Sequence, residues 1–338
     1  MKMHSYMAAA VLMAGICFTT CAPAADSAAA LTTAANAKKA KGDWDGALAG
    51  YNQAIQLNAK YEPAYYNRAV GEAEHGMFDQ AASDFDKAVA LNPKDAQALN
   101  GRGIMKSGRG DIDGALADFD AAIGLDPNYS KAYGNRATAK LAKGDFDGAL
   151  EDCRSSIKFD PANAKSYFTR AMVETAQGDH TGALLDYNKT IQLEPKFATA
   201  FAARGLVKHE LGDLHGAMAD YDSALEIDPK LTDAYFFRGR TKEAMKDLDG
   251  AVADYSKAIE IDPKYSKAYN NRGNIKDAKG DHNGAIADFT SAVQIDPKLA
   301  EAFYNRGIAK HGLGDETGAN ADFKHAAELD PSLAPDKQ

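Results

Sequence analysis

Apolar residues recur along the chain at the spacing of amphipathic helices. Between residues 62 and 95, the stretch from Ala64 to Ala73 has the apolar periodicity of one short helix. A second stretch places Ala81, Phe85 and Ala88 on one face, because residues at i, i+4 and i+7 lie above one another on a helix. The pattern therefore predicts two consecutive short helices in this segment.

Residues that stop or start helices separate the two stretches. Gly76 follows the first helix and can adopt the left-handed conformation that a helix end requires. We expect Asp79 to be the N-cap of the second helix, because its carboxylate can accept hydrogen bonds from free backbone amides. Pro93 ends the second helix, since proline cannot continue the hydrogen-bond ladder. The segment is predicted to be a helix, a tight turn, a second helix and a short link.

This segment is one of nine units that follow one another without insertion or deletion. The alanine at position 47 has an equivalent every 34 residues up to Ala319. A period of this length is typical of solenoids, in which each unit packs against its neighbours. We expect a short linker at 25–27 and a tail at 334–338. The nine units are 28–61, 62–95, 96–129, 130–163, 164–197, 198–231, 232–265, 266–299 and 300–333.

The other units carry helix-starting and helix-ending residues at the same positions. A glycine ends the first helix in eight of them, and Lys246 is the exception. A proline follows the second helix in eight, and Ala59 is the exception. The expected N-caps of the second helices are Asp45, Asp79, Asp113, Asp147, Thr181, His215, Asp249, Asn283 and Thr317.

The unit closely resembles the tetratricopeptide repeat (TPR), whose 34-residue pattern is W-x2-L-G-x2-Y, then A-x3-F, then P. The resemblance spans all nine units, but arginine replaces the leucine of the pattern. It implies an all-α fold, an α-solenoid in which nine TPR helical hairpins form a right-handed superhelix. The first helix of each hairpin would line a concave groove. In the eighth unit the matching residues are Tyr269, Arg272, Gly273, Ala285, Phe289 and Pro297.

The substituted arginine occurs in units two to nine, and an aspartate follows it sixteen residues later each time. We expect each pair, such as Arg272 and Asp288, to join the two antiparallel helices of its own hairpin, because guanidinium–carboxylate pairs are directional. The alternative is that both charges are independently solvated. The arginines are Arg68, Arg102, Arg136, Arg170, Arg204, Arg238, Arg272 and Arg306.

Residues of the first helices that packing does not use are the candidates for a binding surface. Aromatic side chains offer contact area at low entropic cost, and asparagine amides can pair with the backbone of an extended peptide. The alternative is that these are ordinary solvated helix residues. The candidates are Tyr66, Asn67, Asn135, Phe168, Met172, Phe236, Phe237, Arg240, Asn270, Asn271, Asn274, Tyr304 and Asn305.

Residues 1–24 have the pattern of a secretory signal peptide. The start is basic at Lys2, an apolar run covers Ala8–Phe18, and the small-residue site Ala22-Pro23-Ala24 follows. We expect cleavage after Ala24, and a short amphipathic helix is the alternative. A lipoprotein signal places a small residue directly before the modified cysteine, whereas Ile16 and Thr20 precede Cys17 and Cys21 here. Lipid anchoring is therefore disfavoured but is kept as an alternative.

Composition and motifs exclude several classes of function. The net charge is −9 and no block is strongly basic, so nucleic-acid binding is not expected. The longest apolar stretch, residues 7–18, is too short for a membrane span. We find no catalytic, cofactor or metal motif, and Asp-x-Asp-Gly segments such as Asp111–Gly114 lack the ligands of a calcium loop. Cys153 replaces a core aromatic residue and is expected to be buried and unreactive.

These observations predict a non-catalytic scaffold or adaptor that is exported to the periplasm or secreted. Its partner is expected to be a protein or peptide segment, bound in the concave groove without a cofactor. The main alternative is a periplasmic assembly chaperone with promiscuous unfolded clients. An enzyme is disfavoured, because no nucleophile or inward-facing pair of acids stands out.

Overall fold

The computed structural model describes residues 24–334 of the chain. The chain divides into two compact units, Met1–Pro127 and Asn128–Gln338, at the junction of the third and fourth repeats. Residues 1–23 of the predicted signal segment lie outside the described residues. The same holds for residues 335–338 of the predicted tail.

The described part of the first unit holds three helical hairpins. Each helix packs most extensively against the other helix of its own repeat. The first helix begins at Ala24, so residues 25–27 are helical, and our expectation of a linker there was wrong. The helices are α1 (Ala24–Ala40), α2 (Trp44–Leu57), α3 (Glu62–Glu74), α4 (Phe78–Leu91), α5 (Ala96–Gly108) and α6 (Ile112–Leu125).

The described part of the second unit, residues 128–334, holds six hairpins. A short 3-10 turn at Pro331–Leu333 follows the last helix. No strand occurs between residues 24 and 334. The predicted all-α fold of helical hairpins is therefore confirmed. The helices are α7 (Ser130–Ala142), α8 (Phe146–Phe159), α9 (Ala164–Gln177), α10 (His180–Leu193), α11 (Ala198–Glu210), α12 (Leu214–Ile227), α13 (Thr232–Ala244), α14 (Leu248–Ile261), α15 (Ser266–Ala278), α16 (His282–Ile295), α17 (Ala300–Gly312) and α18 (Glu316–Leu329).

The predicted turn between the two helices of each hairpin is confirmed. Eight glycines occupy this position with positive φ, as in Gly76 at 75°. Lys246 holds the same conformation at φ 68°, which side chains disfavour because Cβ approaches the backbone. The second helix ends two residues before the proline, as α4 does at Leu91, since the residue before a proline is driven out of the helical region.

The N-caps of the second helices lie two residues earlier than we expected. Asp111, and not Asp113, caps α6: its carboxylate accepts a hydrogen bond from the amide of Gly114 at 2.9 Å. A Cβ at Gly114 would lie 2.2 Å from the Asp111 carboxylate, so glycine at this position leaves room for the cap. In the second repeat Met77 takes the cap position and makes no side-chain bond. The capping aspartates are Asp43, Asp111, Asp145, Asp179, Asp213, Asp247, Asp281 and Asp315.

Small residues in the hairpin cores let aromatic rings pack against the backbone of the facing helix. A Cβ on Gly273 would lie 2.7 Å from Cε1 of Phe289, so only glycine fits there. In the fourth repeat Cys153 replaces the ring and Ala137 replaces the glycine, and both are buried. Burial raises the pKa of the Cys153 thiol to about 12. This finding agrees with a packing role for Cys153, since a reactive cysteine requires a thiolate.

The arginine and aspartate of each hairpin form a bidentate pair in all eight repeats that contain them, so this prediction is confirmed. The donor–acceptor distances are 2.5–2.9 Å. In seven of these repeats the guanidinium also lies over an aromatic ring three residues earlier, as Arg136 does over Tyr133 at 5.4 Å; in the third repeat Leu99 takes the place of the ring. This partly buried site explains why arginine can replace the apolar leucine of the TPR pattern.

The same arginines link successive hairpins. Nη1 of Arg204 donates to Asn188 and Nη1 of Arg238 to Asp222, both at 2.6 Å and both on the second helix of the preceding repeat. Each guanidinium can therefore use its fork on its own repeat and its remaining nitrogen on a neighbour.

A lysine completes the charge cluster in six repeats, and a glutamate replaces it in two. In the six, the lysine lies four residues after the arginine, with Nζ 2.8 Å from the aspartate. Glu72 and Glu174 occupy this position in the second and fifth repeats. Burial, followed by the negative charge of Asp84, raises the pKa of Glu72 to about 7. At Glu174, burial and then the negative charge of Asp186 likewise raise the pKa to about 7, although Arg170 opposes the rise.

Candidate functional site

Two adjoining cavities lie along the first helices of the second unit. The larger encloses about 530 Å³ and the smaller about 410 Å³. Arg240 and Asn271 line both cavities, which therefore adjoin each other, and we call them together the groove. The larger is lined by Phe236, Phe237, Arg240, Tyr265, Lys267, Asn270, Asn271, Leu299, Ala300 and Glu301. The smaller is lined by His209, Arg240, Glu243, Ala244, Lys246 and Asn271.

Aromatic rings form one wall of the groove, and packing fixes their positions. Phe236 is only 5% exposed. Its ring lies 5.4 Å from Phe237, 5.8 Å from Tyr255 and 5.1 Å from Tyr265. The hydroxyl of Tyr265 donates to Asp233 at 2.7 Å, which orients this ring in the lining of the larger cavity. The wall is thus preorganised, which lowers the entropic cost of binding.

A hydrogen-bond network holds the asparagine amides. Asn305 donates to the side-chain oxygen of Asn270 at 3.1 Å. Asn271 donates to the hydroxyl of Tyr255 at 3.3 Å, and that hydroxyl donates to Glu243 at 2.9 Å. Each amide uses part of its hydrogen-bonding capacity in this network. Asn270 is only 4% exposed, so the half-buried Asn271 is the amide that keeps capacity for a ligand.

Arg240 is the only arginine that lines the groove, and its side chain is exposed. It makes no ion pair with any of the described residues. Its charge acts on both cavities: burial, and then Arg240, lower the pKa of His209 in the smaller one. In the larger one, Arg240 opposes the rise in the pKa of Tyr265 that burial and Asp233 cause.

Five of the thirteen candidates predicted from the sequence therefore meet in the groove: Phe236, Phe237, Arg240, Asn270 and Asn271. Three more lie on the same helices without being among its lining residues. Asn274 is half-buried on α15, Asn305 contacts Asn270, and Tyr304 packs its ring 5.4 Å from Phe323.

The remaining candidates lie elsewhere. On α9, Phe168 packs 4.9 Å from Phe197 in the core, whereas Met172 is 40% exposed. Asn135 is half-buried on α7.

In the first unit, both candidates are engaged locally. Tyr66 packs edge-on against Phe85, and Asn67 donates to the backbone carbonyl of Pro63 at 2.7 Å.

Sequence reasoning missed several residues of the groove, among them Tyr265, Lys267 and His209. Tyr265 lies in the link before α15, outside the first-helix faces on which the sequence predicts binding residues. An aromatic residue at the same link position in other repeats, as at Tyr129 and Phe197, was the available signal.

Metal-binding clusters and membrane-spanning helices are both absent from residues 24–334. No three histidine, cysteine, aspartate or glutamate side chains come together there in a way that could hold a metal ion. Likewise, none of the helices described has the length and apolar character that crossing a bilayer requires.

Comparison with known families and structures agrees with this architecture. No curated protein matches the chain in sequence. A tetratricopeptide repeat protein from Parabacteroides merdae is 19% identical, with a TM-score of 0.56 over 70% of this chain and 94% of its own. A chain of the APC/C hetero-tetramer Cut9–Hcn1 is 16% identical, with a TM-score of 0.68 over 80% of this chain and 54% of its own. At these identities the likeness concerns the fold alone. Family models described as TPR repeat match 239–277 and 273–314, and those described as tetratricopeptide repeat match 66–105, 106–164, 168–232 and 300–333.

Proposed function

The chain belongs to the tetratricopeptide repeat family, and we propose that it is a non-catalytic scaffold or adaptor that binds a protein segment in its groove. Proteins of this family generally act as scaffolds for protein–protein interaction. The site of that interaction and the nature of the partner are the parts that need an argument from this chain's own residues.

The observation that carries the proposal is the construction of the larger cavity. Its volume of about 530 Å³ suits one or two side chains of a partner, and binding cavities are commonly about 300–1,000 Å³. The half-buried Phe237 supplies apolar area on one wall, backed by the buried Phe236. The half-buried Asn271 supplies an amide on α15, backed by the buried Asn270. A surface that combines rigid aromatic rings with amides matches what an extended segment offers, namely side chains and unpaired backbone groups.

Photo-crosslinking tests this proposal. A benzoylphenylalanine at Phe237 would report on the groove, and one at Leu185 on α10 would be the matched control, because Leu185 is 67% exposed outside the groove. We expect one discrete crosslinked partner from position 237 and none from position 185. Equal crosslinking at both positions would contradict a groove-specific function. Many heterogeneous clients at position 237 would favour the alternative of an assembly chaperone.

We also propose that the protein acts outside the cytoplasm, either in the periplasm or after secretion. The support is the pattern of residues 1–24, with its basic start, short apolar run and small-residue cleavage site. N-terminal sequencing of the protein recovered from the envelope and medium tests this directly. We expect the sequence to begin at Ala25; a start at Met1 would refute cleavage, and a modified cysteine would show lipid anchoring instead.

A further inference from the structure

We propose that the groove recognises an acidic segment: Arg240 pairs with an aspartate or glutamate side chain within an extended peptide, and the aromatic wall takes an adjacent apolar side chain. This inference rests on the proposed function, because it names the chemistry of the segment that the groove binds.

Arg240 differs from the arginines that hold the hairpins together. In the second unit, the arginine at the repeated position pairs with the aspartate of its own hairpin. Arg240 lies two residues after Arg238, on the exposed face of α13, and has no carboxylate partner among the described residues. A guanidinium that faces a cavity without a partner is a ready site for a carboxylate, which it can bind through two parallel hydrogen bonds.

The acidic side chains on α13 are already engaged by tyrosines. Asp233 accepts from the hydroxyl of Tyr265 at 2.7 Å, and Glu243 accepts from the hydroxyl of Tyr255 at 2.9 Å. Both carboxylates are thus bonded to tyrosine hydroxyls and not to Arg240. A ligand carboxylate can therefore reach the Arg240 guanidinium without first displacing an acid of α13.

The charge of the groove points to the same partner. Its lining includes the cations Arg240, Lys246 and Lys267 and the acids Glu243 and Glu301. The chain as a whole carries a net charge of −9. The lining thus carries one more cation than acids on a protein that is acidic as a whole, which favours an acidic ligand over a basic one.

The position of Arg240 favours an acidic side chain over a chain terminus. Arg240 lines both cavities, so the groove continues on each side of the guanidinium. A segment that fills the larger cavity can therefore run past Arg240 into the smaller one, and its carboxylate would come from the middle of the segment.

Selection from a random 12-residue peptide library tests the inference. The library is displayed on phage with no free peptide C-terminus and is selected against the full chain. We expect the enriched peptides to carry aspartate or glutamate beside an aromatic or aliphatic residue. For a synthetic copy of the best peptide, changing the acid to its amide should weaken binding about tenfold, which is the effect of one favourable charge pair.

Arg240→Gln should weaken binding of the acidic peptide by the same factor of about ten and should not weaken binding of its amide form any further. The affinity of this variant for the acidic peptide should also depend less on salt concentration. The matched control is Arg154→Gln, because Arg154 is exposed on α8 and outside the groove; it should leave the affinity unchanged.

Three results would overturn the inference. Enriched peptides with no acidic preference, or equal effects of the two arginine variants, would remove Arg240 from recognition while leaving segment binding intact. Binding that requires a free terminal carboxylate would assign the site to chain ends. The absence of any enriched peptide would instead count against the proposed function itself.

Discussion

Replacing Glu72 with lysine tests the charge clusters that join the hairpins. In six other repeats this position holds a lysine, with Nζ 2.8 Å from the aspartate. Glu72 instead brings a second carboxylate beside Asp84, and its Oε2 has no hydrogen-bond partner among the described residues. The residue is 6% exposed, so water compensates its charge poorly.

The sign and size of the effect follow from the pKa of Glu72. Folding raises it from 4.5 to about 7, so the folded state binds this proton more tightly than the unfolded state does. The stabilisation from the protonated group is complete below pH 4.5 and is lost as the pH rises to about 7. At ~1.4 kcal/mol per pKa unit, ionised Glu72 lowers the free energy of unfolding by about 3–4 kcal/mol above pH 7. Glu72→Lys removes this loss and adds the pair with Asp84.

Trp44 provides a local assay for this substitution. It is the only tryptophan of the chain, lies in the first unit and stacks on His75 with ring centroids 4.5 Å apart. We expect urea unfolding followed by its fluorescence to show a stabilisation by Glu72→Lys that is about 3–4 kcal/mol larger at pH 8 than at pH 4.5, where only the added pair with Asp84 contributes. Glu72→Gln should recover only part of the gain, since it removes the charge without adding a pair.

The matched control for this experiment is Glu74→Lys. It makes the same change in net charge two residues away on α3, where Glu74 is exposed and pairs with Lys39 at 2.9 Å. We expect this control to change stability by less than about 1 kcal/mol at either pH. If Glu72→Lys stabilises equally at both pH values, or if the control matches it, the argument from the buried carboxylate is refuted.

Three further predictions concern backbone, packing and reactivity. Lys246→Gly should stabilise the second unit by about 0.5–1 kcal/mol in thermal unfolding because φ is 68° there, whereas Lys246→Ala should bring no gain. Gly273→Ala should destabilise by about 1–3 kcal/mol in urea unfolding because its Cβ would meet Phe289, whereas Gly124→Ala, with open space around it, should be neutral or stabilising. Cys153 should resist a thiol reagent at pH 8 in the folded protein, because burial raises the pKa of its thiol to about 12, and should react at once in denaturant. Fast labelling without denaturant would contradict its burial.

The arginine–aspartate pairs could be predicted from sequence because their geometry is local. Arg136 and Asp152 lie sixteen residues apart across one tight turn, so the hairpin itself brings them together. The same locality explains why Gly76 and its equivalents correctly marked the turns.

The N-caps show where local patterns are ambiguous. In the segment from Asp111 to Gly114, either aspartate has suitable chemistry for a cap, and composition alone does not separate them. The turn places the carboxylate of Asp111 within 2.9 Å of the Gly114 amide, while Asp113 is already inside the first turn of α6. The choice depended on the backbone path and not on residue type.

The repeat period, the alternation of helices and turns and the buried small residues were determined by the sequence itself, because each depends on neighbours within one hairpin. The groove was decided by the tertiary structure. Phe168 and Phe236 occupy the same position in their repeats, yet only Phe236 lines the groove. The reason is that Tyr265, Asn270 and Asn271 complete the cavity around Phe236. Which exposed residues form a site depends on what the adjacent helices place beside them, and a periodic pattern does not contain that information.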